Sequence, residues 1–116
     1  AEHGKNSFRS DLGHFCHSKW EANYCRFLLW TGRKYRYEPK TFIILLSNGT
    51  KASYTPDFLI DNKEWHELKG WEERSKIKKW EIFQQQYPYE KFILINRDNY
   101  KKIEQLYRYI IPNWEF

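Results

Sequence analysis

The sequence is 116 residues long, which is enough for one hydrophobic core and argues against two separately folded domains. Lysines and arginines number 20 against 15 aspartates and glutamates, so the formal charge is +5, and 20% of the residues are aromatic. Cations attract phosphates and aromatic rings stack on bases, so this composition favours a polyanionic partner such as DNA and excludes disorder over most of the chain.

We expect neither a membrane span nor a secretory signal. The longest apolar run, 42–46, is far shorter than the roughly 20 residues that span a bilayer. Residues 1–6 lack the apolar stretch of a secretory signal. If the chain were helical from Cys16 to Cys25, their separation of roughly 13 Å would be beyond the reach of a disulfide. We therefore expect a reduced, intracellular protein of the cytoplasm.

The first helix is predicted just after a short arm. Residues 1–17 carry few core-forming side chains and are interpreted as an N-terminal arm, with the folded domain over 18–116. Ser18 and Glu21 have the capping-box spacing that opens a helix, and apolar residues follow at helical spacing until a glycine. The pattern predicts a helix over 18–31.

Three strands are expected to follow this helix. Residues 35–38 and 41–46 are rich in aromatic and β-branched residues and are interrupted by a proline. Asn48-Gly49 then marks a tight turn into a second strand, predicted over 51–60. After a further turn, a short third strand is predicted over 65–69.

The second half of the chain alternates between helix and strand. Apolar residues three or four apart predict an amphipathic helix over 73–87, with a basic face. A compact apolar strand follows at 91–96 and a last helix at 100–110. The element order is α-β-β-β-α-β-α. Consecutive hairpin strands followed by a strand-helix crossover predict an α/β fold with a mixed central sheet flanked by helices.

Two carboxylates and an ammonium group are expected to converge on adjacent strands. Because strand side chains alternate, Glu67 and Lys69 project from one face, and Asp57 can lie beside Glu67 if the strands pair around their turn. Carboxylate oxygens are the ligands that Mg²⁺ or Mn²⁺ prefers, and such an ion can clamp a phosphate and activate water. The arrangement suits phosphodiester hydrolysis.

Glu21 offers a third carboxylate. It borders the helix face that bears Tyr24, Cys25 and Leu28, which is expected to turn toward the sheet. A carboxylate in that position needs a cation or a donor as partner, and a metal at Asp57 would supply one. The alternative is a capping-box role, with the Glu21 carboxylate accepting from the Ser18 backbone amide.

Several strings resemble small phage-type members of the PD-(D/E)XK nuclease superfamily, which include Holliday-junction resolvase-like and nicking endonucleases. Nine residues separate Pro56-Asp57 from Glu67-Leu68-Lys69. The element order over roughly 18–96 is similar to the restriction-endonuclease-like core of that superfamily. The other similar strings are Ser18-Lys19-Trp20-Glu21-Ala22-Asn23, Tyr37-Glu38-Pro39-Lys40-Thr41-Phe42 and Tyr54-Thr55-Pro56-Asp57-Phe58.

The resemblance implies roles for individual residues. Asp57, Glu67 and the main-chain carbonyl of Leu68 would bind Mg²⁺ or Mn²⁺, with Glu21 completing or supporting the metal site. Lys69 would be the catalytic lysine. The expected activity is a divalent-metal-dependent deoxyribonuclease that nicks DNA or cleaves branched structures. The phage-type resemblance is also compatible with a phage-encoded protein that acts in the host cytoplasm.

Two basic clusters are candidates for contact with the DNA backbone. Each has the alternative of an ordinary solvated face. One lies on the basic face of the second predicted helix, and the other follows the first helix. The candidate DNA-binding residues are Lys76, Lys78, Lys79, Arg33, Lys34 and Arg36.

The histidines and cysteines give a weaker signal. His14, Cys16, His17 and Cys25 are all candidate zinc ligands, but their spacing resembles no standard structural site, and Cys25 stands alone in an apolar helix. His66 alternates away from the carboxylate face and is interpreted as a packing or surface residue.

One rival function is a non-catalytic nucleic-acid-binding module with a nuclease-like fold. It would bind DNA in a salt-dependent manner without binding metal. Within the nuclease hypothesis, a homodimer is the arrangement expected for double-strand cleavage, whereas a monomer would favour nicking. The sequence does not specify the form of the DNA substrate, its base sequence or the number of metal ions.

Overall fold

The computed structural model describes residues 6–69 and 77–116, and these ranges contain three helices and three small sheets. The strands are β1 (Ser7–Arg9), β2 (His14–Cys16), β3 (Tyr35–Tyr37), β4 (Phe42–Leu45), β5 (Lys51–Tyr54), β6 (Phe58–Ile60), β7 (Glu64–Lys69) and β8 (Lys91–Asn96). The helices are α1 (Lys19–Trp30), α2 (Lys79–Gln86) and α3 (Arg97–Tyr107).

The central sheet has four strands in the order β3-β6-β7-β8. The β3–β6 and β6–β7 pairs are antiparallel, whereas β7 and β8 are parallel and are joined by the crossover that contains α2. The prediction of a mixed α/β fold is confirmed at this level. Two-stranded antiparallel pairs, β1–β2 and β4–β5, complete the described strands.

Each face of the central sheet covers its own core. On one face, Phe58, Ile60 and Leu68 pack with buried residues of α1 and α3, such as Leu28 and Tyr100. On the other face, side chains of the sheet pack against the β4–β5 pair and α2. The buried residues of this second core are Phe42, Ile44, Tyr54, Trp65 and Phe83. The sheet therefore lies between a helical layer and a layer formed by β4, β5 and α2.

The first helix follows the predicted bounds closely. The Ser18 hydroxyl caps α1 by accepting from the Glu21 backbone amide at 3.2 Å. Gly32 follows the helix with φ of +79°, a left-handed conformation that glycine adopts without steric cost.

The strand predicted over 51–60 is wrong in one respect, because the chain forms two strands there. Pro56 has no backbone N–H to donate, and the segment from Thr55 to Asp57 leaves the ladder. As a result, β5 pairs with β4 outside the central sheet, whereas β6 pairs with β3 and β7 inside it.

Within the segment predicted to be an arm, β1 and β2 form a hairpin that contributes fully buried Cys16 to the core. The Arg9 guanidinium donates to Glu115 at 3.0 Å, and Arg26 of α1 donates to both Asp11 and Glu115 at 2.8 Å. This network ties the hairpin, α1 and the C-terminal segment together.

The second-half elements are also found, with shifted ends. The strand at 91–96 is confirmed, but the last helix begins three residues earlier than predicted, because Asn96 and Asn99 form a reciprocal capping box. In the helix predicted over 73–87, α2 starts at Lys79, and residues 73–76 lie outside the described ranges. No helix in the described ranges is both long enough and apolar enough to cross a membrane.

Candidate carboxylate site

The β6–β7 register brings Asp57 and Glu67 together. Phe58 pairs with His66 in this antiparallel ladder, so the next position outward sets Asp57 opposite Glu67. The Asp57 Oδ2 atom accepts a hydrogen bond from the Leu68 backbone N–H at 2.9 Å. The Asp57 backbone carbonyl also accepts from the Glu38 N–H at 2.8 Å, which fixes the segment before β6.

Glu67 is held by groups on two neighbouring elements. Its side chain is buried on the β4–β5 face of the sheet, and Oε1 accepts from the Tyr54 hydroxyl of β5 at 2.6 Å. Lys69 lies two residues along the same strand face, with its Nζ atom 3.5 Å from Glu67 Oε2. The structure thus brings Asp57, Glu67 and Lys69 together as the alternation of β7 predicts.

The electrostatics of the pair favour protonation unless a cation is present. Burial raises the pKa of Asp57 well above its ordinary value, and the nearby charges of Glu67 and Glu21 raise it further. Burial also raises the pKa of Glu67, although the Tyr54 hydrogen bond and the Lys69 ammonium partly offset the effect. A bound divalent cation would relieve the charge repulsion and stabilise both ionised carboxylates.

Glu21 approaches from the other side of the sheet. Its carboxylate accepts hydrogen bonds from the Tyr37 hydroxyl and, at 3.2 Å, from the His17 backbone amide. The Ser18 Oγ atom supplies the helix cap. The Glu21 carboxylate is held by the His17 amide and the Tyr37 hydroxyl. Glu21 is close enough to raise the pKa values of both Asp57 and Glu67 by charge repulsion.

The approach from opposite faces limits how compact the three carboxylates are. Among the described residues, a group of three His, Cys, Asp or Glu ligand atoms within 4.8 Å of one another is formed by His14, Cys16 and Cys25, and not by the three carboxylates. Glu21 is therefore a less direct partner than Asp57 and Glu67. The donor set nevertheless suits Mg²⁺ or Mn²⁺, because these hard cations prefer oxygen ligands and charged carboxylates.

Three residues near the site were not predicted as functional from the sequence: Tyr37, Glu38 and Tyr54. Glu38 has φ of +47°, which is uncommon for a residue other than glycine, and its charge contributes to the raised pKa of Asp57. Its Oε1 atom also lies 3.3 Å from His17 Nε2. All three residues fall within the strings that carry the superfamily resemblance, but no periodicity pointed to them.

The predicted DNA-binding residues have different environments. Arg33 donates to Asp61 at 3.0 Å and to Glu64 at 2.8 Å, so its charge is already paired, whereas Lys34 and Arg36 are exposed. Lys78 is exposed at the N-terminus of α2, and the exposed Lys79 donates to the Ser53 carbonyl at 3.0 Å. Lys76 lies outside the described ranges.

His66 belongs to the opposite face, as the alternation predicts. It is buried, with Nδ1 2.7 Å from the Tyr24 hydroxyl and Nε2 3.0 Å from Glu64 Oε1. The Tyr24 contact links β7 to α1, and the His66 side chain points away from the carboxylate pair.

Comparison with known proteins gives no independent assignment. No protein-family model, curated protein or solved structure matches this chain. The site must therefore be judged by its own geometry and chemistry.

Proposed function

We propose that the chain is a divalent-metal-dependent DNA endonuclease. The observation that carries the proposal is the pairing of Asp57 with Glu67 at neighbouring strand positions, with Lys69 beside Glu67. Two buried carboxylates with raised pKa values are an unfavourable arrangement in isolation, and a functional cation site supplies a physical reason for it.

Asp57 and Glu67 would hold Mg²⁺ or Mn²⁺, with the Leu68 carbonyl as a further ligand implied by the superfamily resemblance. Glu21 would support the site through its charge from the helical side. When bound, the metal supplies Lewis acidity toward a phosphate oxygen and lowers the pKa of bound water. The Tyr54 hydroxyl fixes the Glu67 carboxylate, so less reorganisation is needed when the cation binds.

Lys69 would position the attacking water or offset the charge that develops on the phosphate. Its ammonium group is already anchored near Glu67 Oε2, and its side chain is 28% exposed, so it can reach both the site and solvent. Donors arranged in advance around a developing negative charge stabilise the transition state because they need little reorganisation.

A basic groove supports DNA as the substrate. Two adjoining surface depressions share Arg36, Leu59, Asn62 and Lys63, and their rims also carry Lys34 and Lys40. All four cationic side chains are exposed. The two acidic residues that line the depressions are already bonded, Asp61 to Arg33 and Glu90 to Trp65. Arg36 of β3 lies opposite Leu59 of β6, which lies opposite Trp65 of β7. Trp65 is two residues from Glu67 on the same strand, so all of these side chains share the Glu67 face of the sheet. The groove therefore lies on the same side as the Glu67 carboxylate.

The charge of the basic groove suits the phosphate backbone rather than particular bases. We propose nicking or cleavage of branched DNA, with a homodimer as the form that would cut both strands. Each chain would have one site that cuts one strand at a time, so cutting both strands would need two copies of the chain.

The direct test incubates the full chain with supercoiled plasmid and with a four-way junction in Mg²⁺, in Mn²⁺ and in EDTA. The variants are Asp57→Asn, Glu67→Gln and Lys69→Ala, with Asp98→Asn and Lys102→Ala as exposed controls of the same residue types. We expect metal-dependent cleavage by the wild type and both controls. Each site variant should lose at least about 100-fold in rate.

Equal cleavage by the site variants and the wild type would overturn the proposal. So would salt-dependent DNA binding by a wild-type protein that cleaves neither substrate with either metal, because that result identifies the non-catalytic binding module.

A further inference from the structure

A second group of metal-ligand atoms lies where the β1–β2 hairpin meets α1. His14 and Cys16 are two residues apart on β2 and so project toward the same side, where Cys25 of α1 meets them. The ligand atoms of these three residues lie within 4.8 Å of one another, and both cysteines are completely buried. Because the hairpin packs on α1, Cys25 has two other ligand residues beside it.

The separations suit a tetrahedral metal. Cys16 Sγ lies 3.8 Å from His14 Nδ1, and Cys25 Sγ lies within 4.8 Å of Cys16 Sγ. With Zn–S near 2.3 Å and Zn–N near 2.0–2.1 Å, neighbouring ligand atoms of a zinc tetrahedron are about 3.5–3.8 Å apart. Small adjustments of these side chains would therefore admit the ion.

Tyr35 provides the supporting contact that a ligating histidine needs. Its hydroxyl lies 2.8 Å from His14 Nε2. Zinc binding requires the tautomer that carries its proton on Nε2, in which His14 donates to the Tyr35 hydroxyl and Nδ1 binds the ion in place of its hydrogen bond to the Phe15 carbonyl. The imidazole also stacks on Tyr37 with a ring-centroid distance of 5.0 Å, which restricts its rotation.

Zinc would replace one hydrogen bond of the metal-free site. The Phe15 carbonyl oxygen can only accept, so its 2.8 Å contact with His14 Nδ1 is a bond from an Nδ1–H that gives way when the ion binds. Two thiolates also neutralise the charge of a divalent zinc ion, so a loaded site would bury no net charge. Soft sulfur ligands together with imidazole select zinc over the hard cations that suit the carboxylate site.

We propose that His14, Cys16 and Cys25 are three ligands of a structural zinc site that fastens the β1–β2 hairpin to α1. Each strand of this hairpin has only three residues, and a two-stranded hairpin alone is at best marginally stable in water. Zinc would add to the Arg9–Glu115 contact in holding the hairpin near the start of α1. The proposal is independent of the nuclease assignment.

The test titrates Co²⁺ into the full chain after purification in reductant and removal of metal. We expect one equivalent to give the thiolate-to-cobalt charge-transfer band and the intense visible bands of tetrahedral cobalt, and Zn²⁺ to abolish both. Cys16→Ser and Cys25→Ser should each weaken zinc binding by more than about 100-fold, and His14→Gln should also weaken it. His17→Gln is the matched histidine control and should retain the bands.

Glu67→Gln separates this site from the carboxylate site and should leave the charge-transfer band unchanged. Native mass spectrometry of the wild type supplies a readout that needs no variant. The mass of one zinc ion less two protons supports the proposal. Reduced, folded wild type that shows no thiolate charge transfer and no bound zinc would overturn it, as would a Cys16–Cys25 disulfide in a protein that binds no zinc after reduction.

Discussion

Replacing Asp57 with asparagine should stabilise the metal-free protein at neutral pH while abolishing its stabilisation by metal. The Asp57 carboxyl group has a raised pKa because it is buried and faces the charges of Glu67 and Glu21. Asparagine removes the charge but keeps an amide oxygen that can accept from the Leu68 N–H, now 2.9 Å from Oδ2. The proposed metal ligand thus costs stability when the metal is absent.

The size of the effect follows from linkage between proton binding and folding. Each tenfold weakening of the Asp57 acidity on folding lowers the free energy of unfolding at neutral pH by about 1.4 kcal/mol. For a chain of this length, one kcal/mol changes Tm by roughly 4 °C. Mg²⁺ at ten times its Kd should stabilise the wild type by about 1.4 kcal/mol and the variant by much less.

The sign also depends on pH in a defined way. Because the folded-state pKa of Asp57 is raised, the penalty in the wild type is absent below the ordinary carboxyl pKa and grows as pH rises through the folded value. The advantage of Asp57→Asn should therefore vanish near pH 3 and increase as pH rises toward 7, as long as both proteins remain folded enough to measure.

Thermal unfolding of metal-free protein across this pH range is the assay. Asp61→Asn is the matched control with the opposite sign, because the Lys34 backbone amide and the Arg33 guanidinium lower the pKa of Asp61. That control should unfold at a lower temperature than the wild type at pH 7. An Asp57→Asn protein that is less stable than the wild type at pH 7 would refute the reasoning.

Three further substitutions test the surroundings of the site and the packing of its helix. Tyr54→Phe removes a 2.6 Å hydrogen bond to Glu67, so it should cost about 1.5–3 kcal/mol of stability and move the pH profile of cleavage to higher pH; an unshifted profile would contradict the contact. Arg26→Ala should cost about 2–3 kcal/mol in denaturant unfolding, since it removes the guanidinium that bonds Asp11 and leaves Glu115 paired with Arg9, whereas the exposed Arg97→Ala should cost little; equal losses would contradict the network. Ser18→Ala should lower the free energy of unfolding by about 1 kcal/mol through loss of the α1 cap, and an unchanged value would argue against that cap.

Local patterns in the sequence predicted much of what positions the site. Strand alternation placed Glu67 and Lys69 on one face, and the turn before Glu64 predicted the β6–β7 pairing that sets Asp57 opposite Glu67. These features depend on neighbours in the chain and on a two-residue period. They could therefore be derived without knowledge of the tertiary structure.

The features that were missed depend on contacts between distant segments. Pro56 marks the break after β5, but no local pattern shows that β5 pairs with β4 outside the central sheet, where the Tyr54 hydroxyl reaches Glu67. Likewise, the meeting of Cys16 with Cys25 depends on a short hairpin folding back onto α1, and the expected helix between the two cysteines concealed it.

The central claim is that Asp57 and Glu67 bind a divalent metal ion. Its most direct test is anomalous diffraction from a crystal of the wild type soaked in Mn²⁺. The account predicts an anomalous peak bonded to carboxylate oxygens of both residues, and its loss in Asp57→Asn. A well-ordered site that shows no such peak at saturating Mn²⁺, with cleavage still active in the same protein, would contradict the claim.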